Sequence, residues 1–312
     1  MSWLSRPLAC LVAAAGLCSC SKQEAPPGPK KLTTAVIPKG ANQVFWKSVH
    51  AGAVRAEAEL GVKVIWKGPI KEDDRESQIK VVEDFIALPA SGIVLAPLDD
   101  TALRPVVGTA ARRKIPVVII DSALNSDQYV SFVATDNYTG GQKAGHYLAK
   151  LLGGKGRVVV FRFLEGSAST EQRVQGFLDA VKQYPDLKVV SSNQRSGATA
   201  EVGYQNAENL LAPHKKPGGV EIDGIFCPNE FTTFAMLSAL QDGGLAGKVK
   251  FVGFDSSEML VEAMRKGELH GWCCKTQSGW AIWASKPWSP ISRAKRSQGG
   301  LTPALKWRLR RT

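Results

Sequence analysis

The sequence predicts an α/β protein of two doubly wound lobes, each with a parallel sheet, and a ligand cleft between them. Three observations carry this. From Leu32 onward, apolar runs of strand length alternate with amphipathic stretches of helix length. The runs are apolar throughout rather than at every second residue, which suits strands covered on both faces. The alternation also falls into two successive series, one ending near residue 134 and one following it. A cleft is therefore expected where the carboxyl ends of the two sets of strands face each other.

The elements follow in order. Residues 1–20 carry Arg6, an apolar run from Leu8 to Leu17 and then small residues. That is a secretory signal, too short for a permanent membrane span. Its end, Leu17-Cys18-Ser19-Cys20, resembles the lipobox of bacterial lipoproteins and makes Cys20 the expected lipidated residue. The rival reading is an ordinary cleaved signal. Residues 21–31 form a Pro-rich tether. The N-terminal lobe, 32–134, alternates strands at 32–38, 62–68, 92–98 and 115–121 with helices at 45–61, 76–88 and 101–114. Gly61 closes the first helix, and Pro105 kinks or starts the third. The C-terminal lobe, 135–271, continues with strands at 157–163, 187–192, 223–228 and 249–255. Its helices are expected at 141–154, 171–185, 201–212 and 232–245.

The formal net charge of +12 would direct attention to nucleic acid or an anionic surface. Its distribution argues otherwise. Nine Lys or Arg and no Asp or Glu lie in 272–312, which leaves 31 basic against 28 acidic residues before it. No nucleic-acid partner is expected. Of the six cysteines only Cys227 lies in the body, where it reads as a buried small apolar residue. His50, His146, His214 and His270 lack metal-ligand spacing, and there is no P-loop, GxGxxG cradle or G-x-S-x-G elbow. No catalytic residue, metal or cofactor is expected.

Residues that directly follow strands should line the cleft. They are Asn42, Gln43, Phe45 and Trp46; Asp99 and Asp100; Asp121 and Ser122; Ser167, Ser169 and Arg173; Asn229 and Glu230; Asp255 and Ser256. Carboxylates and amides bind adjacent hydroxyls, arginine binds in a fork, and aromatic faces cover a sugar ring. Each also has a plainer reading. Asp99 and Asp100 could be helix caps, and Phe45-Trp46 could be half core. Asp121, Asn229 and Asp255, each ending an apolar strand, are harder to set aside.

These residues, with NQVFWKSVHAGA, VVIIDS, VATDNYTGGQKAG, EQRVQGF, FCPNE and FVGFDSS, give the chain a resemblance from about Leu32 to His270. It resembles the type I periplasmic sugar-binding proteins, the ribose- and galactose-binding class that serves ABC importers. The resemblance implies Rossmann-like lobes that close on a sugar and no enzymatic activity. It also implies a location on the periplasmic or cell-envelope face, lipid-anchored through Cys20, action as a monomer, and delivery to a membrane permease. Gln43, Phe45 and Trp46 would stand at the family's amide and stacking positions, and Asp121, Arg173, Asn229 and Asp255 at its polar contacts. Ser122 stands where the ribose pattern has Arg, and Ala198 where it has Phe; these departures put ribose itself in doubt and leave a sugar or sugar-like ligand implied. A sensory receptor for a chemotaxis or kinase partner is the alternative within the class. An exported sugar-acting enzyme is the alternative outside it.

Beyond His270 the resemblance breaks. Residues 271–290, GWCCKTQSGWAIWASKPWSP, hold four tryptophans and two adjacent cysteines. Trp has one codon and Cys two, so the DNA can be partly recovered and read one base earlier. The shifted frame permits Val-Leu-Gln-Asp and Met-Gly-Tyr-Leu-Gly-Val-Lys in order, both phrases of this class. Residues 272–312 therefore read as a frameshifted tail that replaces the returning strand and helix of the N-terminal lobe. A chain lacking them is expected to fold or bind less well. The rival readings are a Trp-rich basic patch for nucleic acid or membrane, and an unrelated extension.

Overall fold

The computed structural model describes residues 31–41, 43–88 and 90–273. Cys20, the tether up to residue 30, Asn42 and the tail from residue 274 lie outside these described residues.

The first lobe runs β1 (Thr33–Ile37), α1 (Val44–Leu60), β2 (Lys63–Trp66), α2 (Arg75–Ala87), β3 (Gly92–Leu95), α3 (Arg104–Arg112), β4 (Val117–Ile120) and β5 (Ser131–Val133). The second runs α4 (Asn137–Leu151), β6 (Lys155–Val160), α5 (Ala168–Val181), β7 (Asp186–Ser191), α6 (Ala200–Leu211), β8 (Lys215–Lys216) and β9 (Gly219–Val220). It continues with β10 (Gly224–Phe226), α7 (Glu230–Asp242), β11 (Lys250–Phe254), α8 (Glu258–Arg265) and β12 (Gly271–Cys273). The sheets are ordered β2-β1-β3-β4-β5 and β7-β6-β10-β11-β12, each wholly parallel. The two lobes thus repeat one topology, and β4 and β11 occupy equivalent places. β8 and β9 form a small antiparallel hairpin apart from these sheets.

Alternate residues of the apolar strands serve opposite cores, as the pleat requires. Ala35, Ile37, Ile93, Leu95, Val117 and Ile119 pack beneath α2 and α3. Val36, Val94, Val118 and Ile120 join Phe45, Trp46, Val49 and Ala53 of α1. In the second lobe one face is covered by α6, α7 and α8 and the other by α4 and α5. Gly61 caps α1 at φ +63°, and Pro105 lies in the first turn of α3, so it starts that helix rather than kinking it.

Five elements depart from the expectation, the hairpin strands β8 and β9 among them. β5 and α8 were not legible as elements, and Trp272 and Cys273, expected to open the aberrant tail, instead form β12. That strand pairs with β11 of the second lobe's sheet, not with the first lobe, through Val252↔Gly271 and Phe254↔Cys273. Trp272 packs on one core of that lobe and Cys273 on the other. Gly271 is required there, because a Cβ would lie 2.4 Å from the Tyr147 ring.

His270, just before β12, accepts the Phe251 N–H at Nδ1 (3.2 Å). Burial, and next the Lys250 ammonium, hold its pKa below the ordinary 6.5. As pH falls the unfolded chain takes up this proton first, so the fold loses stability below about pH 6.5. Thermal melts between pH 7 and 5.5 should show Tm falling more steeply in the native chain than in His270→Gln; parallel slopes would contradict this.

Candidate functional site

The cleft is built from turns at the carboxyl ends of strands in both lobes. Lys39, Gln43, Phe45, Trp46, Glu72 and Asp121 of the first lobe line a small cavity of about 30 Å³. Facing them are Phe163, Ser167, Ser169, Thr170, Arg173, Asn229, Glu230, Phe231 and Asp255 of the second.

Asp121 and Asp255 follow the equivalent strands β4 and β11, and both have left-handed backbones, φ +61° and +63°. Asp tolerates that region better than most residues, and such strain gathers at functional sites. Each carboxylate is 3% exposed and faces one cation. Lys39 Nζ lies 3.6 Å from Asp121 Oδ2, and Arg173 Nη1 lies 3.6 Å from Asp255 Oδ2. Two acceptor–donor couples therefore stand in the one cleft, each able to take both the lone pair and the proton of a hydroxyl.

Arg173 is held from three sides. Its Nε donates to Asn137 Oδ1 (2.9 Å), its Nη1 donates to the Pro228 carbonyl (2.7 Å), and its guanidinium lies 4.0 Å over the Phe254 ring. Nη2, buried beside the cavity, has no hydrogen-bond partner among the described residues, and neither has Gln43 Oε1. A buried donor and acceptor left in that state are costly unless something else meets them. The walls are aromatic: Phe45 and Trp46 meet edge to face at 4.8 Å, Phe163 and Phe231 at 5.7 Å. Trp46 Nε1 donates to Glu72 Oε1, which fixes the indole plane.

Of the eight residues expected at the site, the structure brings Gln43, Phe45, Trp46, Asp121, Arg173, Asn229 and Asp255 together. Asn229 also caps α7, its Oδ1 accepting the Thr232 N–H (3.0 Å) in a capping box, while the residue lines the cavity. Ser122 does not line the cavity. With Asp121 left-handed the chain turns sharply, and Ser122 Oγ instead accepts the Ser169 N–H of the other lobe (3.0 Å). Asp99 neither lines the cavity nor caps α3, whose N-cap is Leu103; it accepts the N–H groups of Thr101 and Ala102 in the turn before that helix and pairs with Arg75 at 2.8 Å. Lys39, Glu72, Phe163, Thr170 and Phe231 were missed. Lys39 follows β1 directly, so the after-strand rule could have found it.

Cys227 is fully buried, and burial pushes its thiol pKa well up, as suits a core residue. Among the described residues no cluster of His, Cys, Asp or Glu is placed to hold a metal ion, and no helix is long and apolar enough to cross a membrane.

Comparison with known proteins gives a family model described as a periplasmic binding protein domain, matching residues 34–286. The D-ribose/D-allose-binding protein of Pseudomonas aeruginosa is 29% identical over 249 residues, covering 77% of this chain and 76% of that protein. The D-allose-binding periplasmic protein of Escherichia coli is 30% identical over 241 residues, covering 73% and 75%. A carbohydrate transporter solute-binding protein from Agrobacterium radiobacter, solved with D-arabinose, superposes with TM-score 0.78 at 31% identity, covering 85% and 89%.

Proposed function

We infer the function of this chain, which belongs to the periplasmic binding protein domain family, from its cleft: it is a sugar receptor of an ABC importer. It binds a monosaccharide or similar polyhydroxyl ligand between its lobes and delivers it to the membrane permease; it is not an enzyme. The observation that carries this reading is the paired arrangement of Lys39–Asp121 and Arg173–Asp255 at one cleft. Two couples that both donate and accept suit hydroxyls, and the aromatic walls suit the apolar faces of a ring. The ligands named for the relatives, D-ribose, D-allose and D-arabinose, are of this kind.

In this reading Asp121, Arg173, Asn229 and Asp255 fix ligand hydroxyls, Gln43 adds an amide, and Phe45 and Trp46 cover the ring. Ser122 acts on closure rather than on the sugar. The protein works as a monomer, held to a bacterial membrane through lipidated Cys20, the reading that the Leu17-Cys18-Ser19-Cys20 ending supports. The tail from residue 272 carries a frameshift, and restoring the frame tightens both fold and binding. Resequencing from codon 260 past the stop tests that directly.

Thermal melts with D-ribose, D-allose, D-arabinose and D-tagatose test the function. Ligand at a hundredfold excess over Kd stabilises the folded chain by about 2.7 kcal/mol. At least one sugar should raise Tm by several degrees and be recovered unchanged. No shift with any, or conversion of the sugar, would overturn the reading.

A further inference from the structure

We propose that Lys39 couples ligand recognition to lobe closure, and that the segment 165–169 is the seat on which the first lobe closes. The ligand half of this rests on the sugar-receptor reading above; the closure half stands without it.

Bonds from four separate parts of the first lobe converge on those five residues. Arg75 Nη2 donates to the Glu165 carbonyl (3.1 Å), and the Asp100 N–H donates to the Gly166 carbonyl (3.0 Å). Lys39 Nζ donates to Ser167 Oγ (3.1 Å) and Ser169 Oγ (3.3 Å), and Ser122 Oγ accepts the Ser169 N–H. The fit depends on Gly166, which has φ +81° and lies so near Asp99 that a Cβ would come 2.3 Å from Oδ2. A side chain there meets both strain and collision, and both arise at the lobe contact rather than inside either core.

Among the first-lobe groups that make these contacts, only Lys39 also lines the cavity, where it meets Ser167 and Ser169 of the other lobe. Its ammonium is 3% exposed, a burial that an ion tolerates only when partners surround it. Asp121 supplies one in its own lobe, but both serines belong to the other lobe, so opening removes them. An ammonium has three donors in fixed number and no acceptor. A ligand oxygen can therefore replace a serine hydroxyl without leaving the cation unmet, and ligand and closure are read by one group. The same cavity has four carboxylates in its lining, Glu72, Asp121, Glu230 and Asp255, against Lys39 and Arg173. This balance repels a phosphate or carboxylate on the ligand and restricts the site to sugars without negative charge.

The test uses the purified chain and its Lys39→Met and Gly166→Ala variants. Without ligand, amide hydrogen exchange at Asp100 and Ser169 should quicken about tenfold in both variants while amides within β1 and β10 keep native rates. With the sugar that gives the largest thermal shift, Lys39→Met should weaken binding by about thirtyfold or more, since truncating one partner of a buried charge pair costs at least 2 kcal/mol. Gly166→Ala should weaken it about tenfold although the residue makes no cavity contact, and D-ribose 5-phosphate should bind none of the three chains. Unchanged exchange at Asp100 and Ser169 in both variants would overturn the seat. Native affinity in Lys39→Met would overturn the coupling. A native chain that binds no sugar would sink the receptor reading, and the exchange rates would still decide the closure.

Discussion

Arg173→Met is expected to abolish sugar binding and to destabilise the second lobe by about 3–5 kcal/mol, the usual cost of breaking a buried ion pair. The side chain is 1% exposed and links three elements at once: Asn137 at the start of α4, Pro228 after β10, and Asp255 after β11. Methionine fills most of the volume but leaves the Asp255 carboxylate facing an apolar group. Arg173→Lys should not rescue binding. A single ammonium cannot reproduce a fork that donates in two directions while lying flat on Phe254. Denaturant melts would read the stability and calorimetry the affinity. A variant with native affinity would remove Arg173 from the site.

Gly141→Ala should also be severely destabilising, although alanine is the better helix former by about 1 kcal/mol. Gly141 is in α4, where an added Cβ would lie 1.9 Å from the Arg173 carbonyl oxygen of α5. Gly176 of α5 returns the contact, its Cβ position lying 2.0 Å from the Tyr138 carbonyl oxygen. Favourable contacts between heavy atoms lie near 3.5 Å, so neither backbone can absorb a methyl group without parting the helices. Overpacking usually costs about 1–3 kcal/mol, and a backbone collision on both sides belongs at or above the upper end. Parting these helices moves Asn137 away from Arg173, so binding should fall together with stability. A Gly141→Ala chain that melts at or above the native temperature would contradict the close crossing.

Most of the fold was legible because the strands are buried on both faces. Runs such as VVII and GIVL have no polar member to obscure them, and the helices between them are long. β5 and β12 were not legible for a physical reason: each has three residues and is a strand only by pairing with β4 or β11. The site divides in the same way. Asp121 and Asp255 end strong strands, so topology alone places them at the cleft. The burial of Lys39 was not legible because what surrounds it, Ser167 and Ser169, lies 128 and 130 residues further along the chain. Ser122 was misplaced because a left-handed Asp121 turns its neighbour toward the other lobe, which no residue pattern announces.

The most direct test of the central claim is a calorimetric titration with D-allose, D-ribose and D-arabinose, run on the chain as printed and on the chain with its reading frame restored after codon 271. One sugar should bind at one equivalent per chain, more tightly after restoration, with the sugar recovered intact and the heat lost in Arg173→Met. Absence of saturable heat in both chains, or steady conversion of the sugar, would contradict the account.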